Sequence, residues 1–143
     1  KAHPFNKYGK VEAEIVGGNL SILYSLLGSE SDINTDRKIL FIEDLDEYLY
    51  HIDRMMMSFK RNGKLENLKA LIVGGMSDMN DNDIPFGETA EEIILQHTKG
   101  YDFPICFGFP AGHLDDNRAI KFGVKSKLEI TAKTVILSSN IQL

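Results

Sequence analysis

The chain has 143 residues, 43% of them apolar and 26% charged, with a formal net charge of −5. That is apolar material for one domain with its own core and too much for a disordered segment. The acidic balance, with no Lys/Arg cluster, excludes a nucleic-acid footprint, and no apolar run approaches a membrane-spanning length. The single Cys106 lies in an apolar run and can close no intrachain disulfide, which fits a reducing, cytoplasmic compartment. No signal peptide is visible, and the abrupt start reads as that of a fragment. Residues 1–7, with His3 and Pro4, read as a linker entering the domain.

Lys10 to Val16 alternates apolar and polar residues, as a half-exposed strand does, and Gly17-Gly18 is expected to break it. Asn19 can cap a helix carrying Leu20, Leu23, Leu26 and Leu27, closed by Gly28. After a polar loop, Ile39-Leu40-Phe41-Ile42 is a continuous apolar run, the pattern of a strand buried on both faces. Asp46 is the expected cap of a second helix, with Leu49, Ile52, Met56 and Phe59 on one stripe and Asn62-Gly63 at its end. Leu71-Ile72-Val73 is a second buried strand, expected to stop at Gly74-Gly75. A polar loop over 76–87 leads to a third helix over 88–99 with Ile93, Ile94 and His97 inward, then a strand over 104–107. Lys127 to Leu137 alternates again, with Leu128, Ile130 and Ala132 on one face, and forms a closing hairpin.

This order predicts an α/β domain with a short parallel βαβαβ core and a C-terminal β-hairpin. Helical crossovers make the three buried strands parallel and bring their C-terminal ends to one edge. Ligand sites of open α/β sheets collect there. Glu43, the loop over 74–87 and His113 all follow those ends, so topology alone places them together.

The tract Gly108-Phe109-Pro110-Ala111-Gly112-His113, followed by Asn117, holds a histidine on a shaped loop, because glycine admits unusual dihedrals and proline fixes one. Glu43 directly follows four apolar residues, so its carboxylate is expected to be desolvated and to need a partner. An imidazole base and an acid that orients it are two members of a serine-hydrolase triad. The bland alternatives are a surface histidine in a turn and an acid at a helix start, beside Asp44 and Asp46. Asp44 is the rival orienter, pointing to the opposite face if the strand persists. His3, His51 and His97 fall in the linker, on a helix and near a helix end, and read as structural or solvated.

Asp115, Asp116 and Asn117 with His113 match no strong metal spacing, and the acidic run 77–83 lacks the glutamate-terminated calcium-loop pattern. No metal and no cofactor is therefore expected. Gly17-Gly18-Asn19 before a helix offers N–H groups to an anion, though two glycines also make a plain turn. Gly75-Met76-Ser77-Asp78 echoes a nucleophile elbow, but the following residues have no helical period. Ser77 is therefore not expected to be the nucleophile, and Cys106 in mid-strand is expected to be inert.

With these residues in view, the chain resembles the C-terminal half of the LD-carboxypeptidase family of serine peptidases, which includes muramoyltetrapeptide carboxypeptidases and microcin-C self-immunity peptidases. The matching tracts are Val16-Gly17-Gly18-Asn19-Leu20, Ile39-Leu40-Phe41-Ile42-Glu43-Asp44, Ile52-Asp53-Arg54-Met55 and Gly108-Phe109-Pro110-Ala111-Gly112-His113. They run in order from Val16 to His113, at compatible spacing, within a resemblance that covers about residues 8–128. The resemblance implies a Ser–His–Glu triad with Glu43 and His113 on its acid and base positions, and a compact swivelling β/β/α domain.

It also implies that the serine stands on a Gly-x-Ser-Asp turn in an N-terminal domain absent from residues 1–143. The implied activity of the intact enzyme is release of a C-terminal D-amino acid, such as D-Ala from a murein tetrapeptide during peptidoglycan recycling, with this chain inactive alone. The implied partners are that N-terminal domain and a murein peptide, with room for a homodimer, and no nucleic acid or membrane. A non-catalytic peptide-binding or assembly module, or a family member acting on a microcin-C-like acylated nucleotide, are the competing expectations.

Overall fold

Strands with no polar face to offer water must be covered on both sides, and the two apolar runs sit accordingly in the middle of the sheet. The computed structural model describes residues 2–139. In chain order the elements are β1 (Gly9–Asn19), α1 (Leu20–Ser25), β2 (Ile39–Leu45), α2 (Leu49–Arg61), β3 (Ala70–Ser77), α3 (Ala90–Thr98), β4 (Ile105–Cys106), β5 (Lys125–Ile130) and β6 (Val135–Ser139). They form one six-stranded sheet in the order β4-β3-β2-β1-β5-β6. β1 to β4 are mutually parallel, and β5 and β6 add an antiparallel hairpin. The expected βαβαβ core and closing hairpin are both present. Among the described residues no helix is long and apolar enough to cross a membrane.

β1 joins the two halves. Its first part, Gly9 to Glu14, pairs antiparallel with β5, and its last part, Ile15 to Asn19, pairs parallel with β2. The strand therefore does not break at Gly17-Gly18 as expected. Gly17 lies so close to β2 that a Cβ there would meet the Phe41 carbonyl oxygen at 1.9 Å. The glycine permits a close strand approach; it does not end the strand. Similarly, β3 runs through Gly74-Gly75 to Ser77.

The three helices cover one face. Leu20 and Leu23 of α1, and Ile52, Met55, Met56 and Phe59 of α2, pack with Ile93 and Ile94 of α3 on Leu40, Ile42, Leu71 and Val73. Each such side chain contributes roughly 1.5–3 kcal/mol by leaving water. The other face buries Ala13, Ile15, Ile39, Phe41, Ile72 and Cys106 under Leu128 and Ile130 of β5 and Ala111 of the histidine loop. That burial holds the Cys106 thiol neutral, pushed up to about 12, which fits an inert cysteine.

Several local expectations shift. Asn19 does cap α1, its side chain accepting from Ile22 N–H, but the helix ends at Ser25 before Leu26 and Leu27. Asp46 does not cap α2; Tyr48 stands at the cap with no side-chain bond, because Asp46 takes φ 59° and accepts from Asn80 instead. α3 starts two residues later than expected, on a Thr89–Glu92 capping box. Ala132 is exposed in the β5–β6 turn, so the buried alternation stops at Ile130. Residues 3–7 lie against β4: Lys7 bridges Ile105, the His3 ring packs on Phe107, and Asn6 Oδ1 accepts from Phe107 N–H at 2.8 Å.

Candidate active site

Glu43 and His113 meet at the C-terminal edge of the parallel strands. His113 Nδ1 lies 2.7 Å from Glu43 Oε2. The carboxylate is buried, its side chain 8% exposed, whereas the ring is 51% exposed. A buried carboxylate facing Nδ1 accepts that N–H and leaves the Nε2 lone pair for a reacting group. That is the protonation pattern a general base requires.

The backbone explains how a 70-residue separation closes to one hydrogen bond. Between β2 and β3 the register shifts: Ile42 pairs with Val73, but Asp44 pairs with Met76. The extra residue falls at Gly74-Gly75, opposite Glu43. These glycines leave the strand bare, and the histidine loop lies on it. A Cβ at Gly74 would meet the Ala111 carbonyl oxygen at 2.4 Å, and one at Gly75 would meet Leu114 at 2.8 Å. Gly75 N–H donates to Ala111 O at 2.9 Å, and Phe109 N–H donates to Val73 O at 3.0 Å. Gly112 takes φ 108°, and a Cβ there would meet the Glu43 side chain at 2.9 Å. The sequence signal read as the end of a strand is thus the seat of the loop.

Asp44 is even more buried than Glu43, 1% exposed, and serves the other side of the strand. Its carboxylate accepts from Asn19 Nδ2, Ser21 N–H and Leu45 N–H, each at 2.9 Å. It ties β2 to the start of α1. Burial pushes its carboxyl above the ordinary carboxylate range, against the lowering effect of those donors. In Asp44→Asn one oxygen becomes an NH₂ group facing donors. Relief of desolvation offsets part of the loss, and we expect a net destabilisation of about 1–2 kcal/mol, read as a lowered thermal midpoint.

The other candidates are occupied elsewhere. His97 Nε2 meets Asp53 Oδ1 at 2.7 Å and links α3 to α2. His51 Nδ1 meets Glu47 Oε2 at 2.8 Å under the edge of Tyr24. Asp116 holds Arg118 through two hydrogen bonds of 3.0 and 2.9 Å, and Asn117 Oδ1 accepts from Gly112 N–H at 3.1 Å. Among the described residues no group of three His, Cys, Asp or Glu side chains could hold a metal ion. Ser77 Oγ donates to the His113 carbonyl oxygen at 2.6 Å. Its hydroxyl is engaged with loop backbone, a contact that no local sequence signal announces.

Residues 12–128 match the LD-carboxypeptidase C-terminal domain. The chain is 34% identical over 133 residues to a probable murein peptide carboxypeptidase of Bacillus subtilis, covering 93% of this chain and 42% of that protein. It is 28% identical over 136 residues to the microcin C7 self-immunity protein of Escherichia coli, covering 91% of this chain and 38% of that protein. Its fold superposes on the crystal structure of muramoyltetrapeptide carboxypeptidase from Oxalobacter formigenes with a TM-score of 0.83 at 28% identity, covering 92% of this chain and 45% of that one. The chain thus spans less than half the length of each of these relatives. A domain match over most of the chain, with the same fold in a solved relative, means that the chain belongs to the LD-carboxypeptidase family, through its C-terminal domain.

Proposed function

We propose that the full-length protein is a serine-type LD-carboxypeptidase that hydrolyses the amide to a C-terminal D-amino acid, with D-Ala release from a murein tetrapeptide as its reaction. In this reading it serves peptidoglycan recycling in the cytoplasm. The observation that carries it is the 2.7 Å contact between the buried Glu43 carboxylate and His113 Nδ1. A serine from a domain outside these 143 residues attacks the carbonyl. His113 Nε2 takes the serine proton and later delivers it to the leaving amine. Glu43 holds the ring in the required tautomer and stabilises the imidazolium. In this scheme the nucleophile does not come from residues 1–143: the Ser77 hydroxyl donates to the His113 carbonyl oxygen, and Cys106 is buried.

The test is D-Ala release from an L,D-linked tetrapeptide, measured for the full-length protein and for residues 1–143 alone. Turnover by the first and none by the second is the expected result. The similarity to the microcin C7 self-immunity protein favours a second reading, cleavage of an acylated nucleotide at the same dyad. A full-length protein that cleaves such a compound and leaves tetrapeptide intact would replace the first substrate by the second. Activity of residues 1–143 alone would overturn the division of the triad.

A further inference from the structure

The proposed reaction uses one side chain of the histidine loop, and the direction of that side chain is set by the backbone beneath it. Two side chains outside the reaction hold that backbone, beside the Leu114 N–H that donates to the Gly112 carbonyl oxygen at 3.0 Å. Gly112 N–H donates to Asn117 Oδ1 at 3.1 Å, and Ser77 Oγ donates to the His113 carbonyl oxygen at 2.6 Å. The chain is therefore pinned on both sides of the His113 Cα. Gly112, at φ 108°, has a conformational freedom that adds no stiffness of its own. Ser77 is the last residue of β3, and Asp78 after it turns away at φ 51°. Ser77 is thus the final point at which the rigid strand touches the loop.

The ring itself is loosely held. It is half exposed, and Nδ1 to Glu43 is its one side-chain hydrogen bond among the described residues. A single bond fixes the distance to the carboxylate but lets the ring swing about it. A base must also aim Nε2 within hydrogen-bond reach of the hydroxyl it deprotonates. Misplacement by about 1 Å can cost about 100-fold in rate.

We propose that Ser77 is a positioning residue of this hydrolytic site: its hydroxyl fixes the His113 peptide plane so that Nε2 faces the nucleophile of the complete enzyme. The inference rests on the reading of Glu43 and His113 as orienter and base. A serine that is neither nucleophile nor positioning residue would leave Ser77→Ala close to wild type. Ser77 touches no reacting atom, yet it acts on the rate through His113.

The experiment measures kcat, KM and thermal midpoint for Ser77→Ala, Ser77→Thr and Ser77→Val in the full-length protein, with Glu43→Gln alongside. Ser77→Ala is expected to lower kcat about tenfold with KM changed less than about twofold, because aim is lost while substrate contacts stay. Thr keeps the hydroxyl and Val does not, and both suit a strand end. Thr is therefore expected within about threefold of wild type, with Val as slow as Ala. The Thr–Val comparison also decides the matter if Ser77→Ala fails to fold. Equal rates for Thr and Val, or a wild-type kcat in Ser77→Ala beside a crippled Glu43→Gln, would overturn positioning and leave the dyad reading standing. A wild-type rate in Glu43→Gln would instead remove the dyad reading, and the role of Ser77 with it.

Discussion

His113→Ala in the full-length protein is expected to lower kcat by about four orders of magnitude or more, while KM stays within a few-fold. The reason lies in where the side chain sits. Its ring is half exposed at the strand edge and is not packed into either apolar cluster. Truncation therefore removes little buried area, and the thermal midpoint should scarcely move. What disappears is the imidazole that meets Glu43; among the described residues His51 and His97 are committed to Glu47 and Asp53, and the His3 ring packs on Phe107. In the proposed reaction, a serine hydroxyl without a base must lose its proton to water, and the leaving amine has no acid. Turnover, KM and midpoint measured together make the test. A variant that retains more than about a tenth of wild-type kcat would show that another group carries the proton.

Glu43→Gln is the second large effect, with an expected loss in kcat of roughly 100-fold or more. Gln preserves the shape that fills the space beside Gly112 and removes the charge. If its oxygen faces Nδ1, the tautomer survives but the imidazolium loses its counter-charge. If its NH₂ faces Nδ1, the ring is forced into the other tautomer and Nε2 can no longer accept a proton. Both outcomes slow the chemical step. Asp44→Asn provides the contrast, since Asp44 bonds Asn19, Ser21 and Leu45 and faces away from His113. Its cost falls on the thermal midpoint and not on kcat. A dead Asp44→Asn beside an active Glu43→Gln would move the orienter by one residue.

Much of this was legible in the sequence because the signals were local and repeated. The continuous apolar runs at 39–42 and 71–73 announced strands covered on both faces, and the structure covers them with helices on one side and the β5–β6 hairpin on the other. The three-and-four spacing of Ile52, Met56 and Phe59 marked the buried stripe of α2. Parallel topology then put the ends of β2 and β3 and the loop after β4 along one edge, which brought Glu43 and His113 together without any contact being read directly. The glycine pairs at 17–18 and 74–75 run against the expectation, because both lie inside continuing strands. Glycine is a local breaker by propensity, but whether it breaks depends on what lies against it. At Gly17 the neighbour is the Phe41 backbone, and at Gly74-Gly75 it is the histidine loop.

By itself, then, the sequence determined the order and type of the elements, the two-faced core and the residue types at the strand ends. Those follow from hydrophobic period and chain connectivity, which act within tens of residues. Only the tertiary structure decided the rest: that Glu43, not Asp44, faces His113; that the shift in register lies at Gly74-Gly75; and that the Ser77 hydroxyl goes to the loop. Each of these depends on the approach of backbone segments distant in sequence. Such an approach is set by strand register and by the absence of a Cβ at one position, and neither leaves a periodic mark in the chain that encodes it.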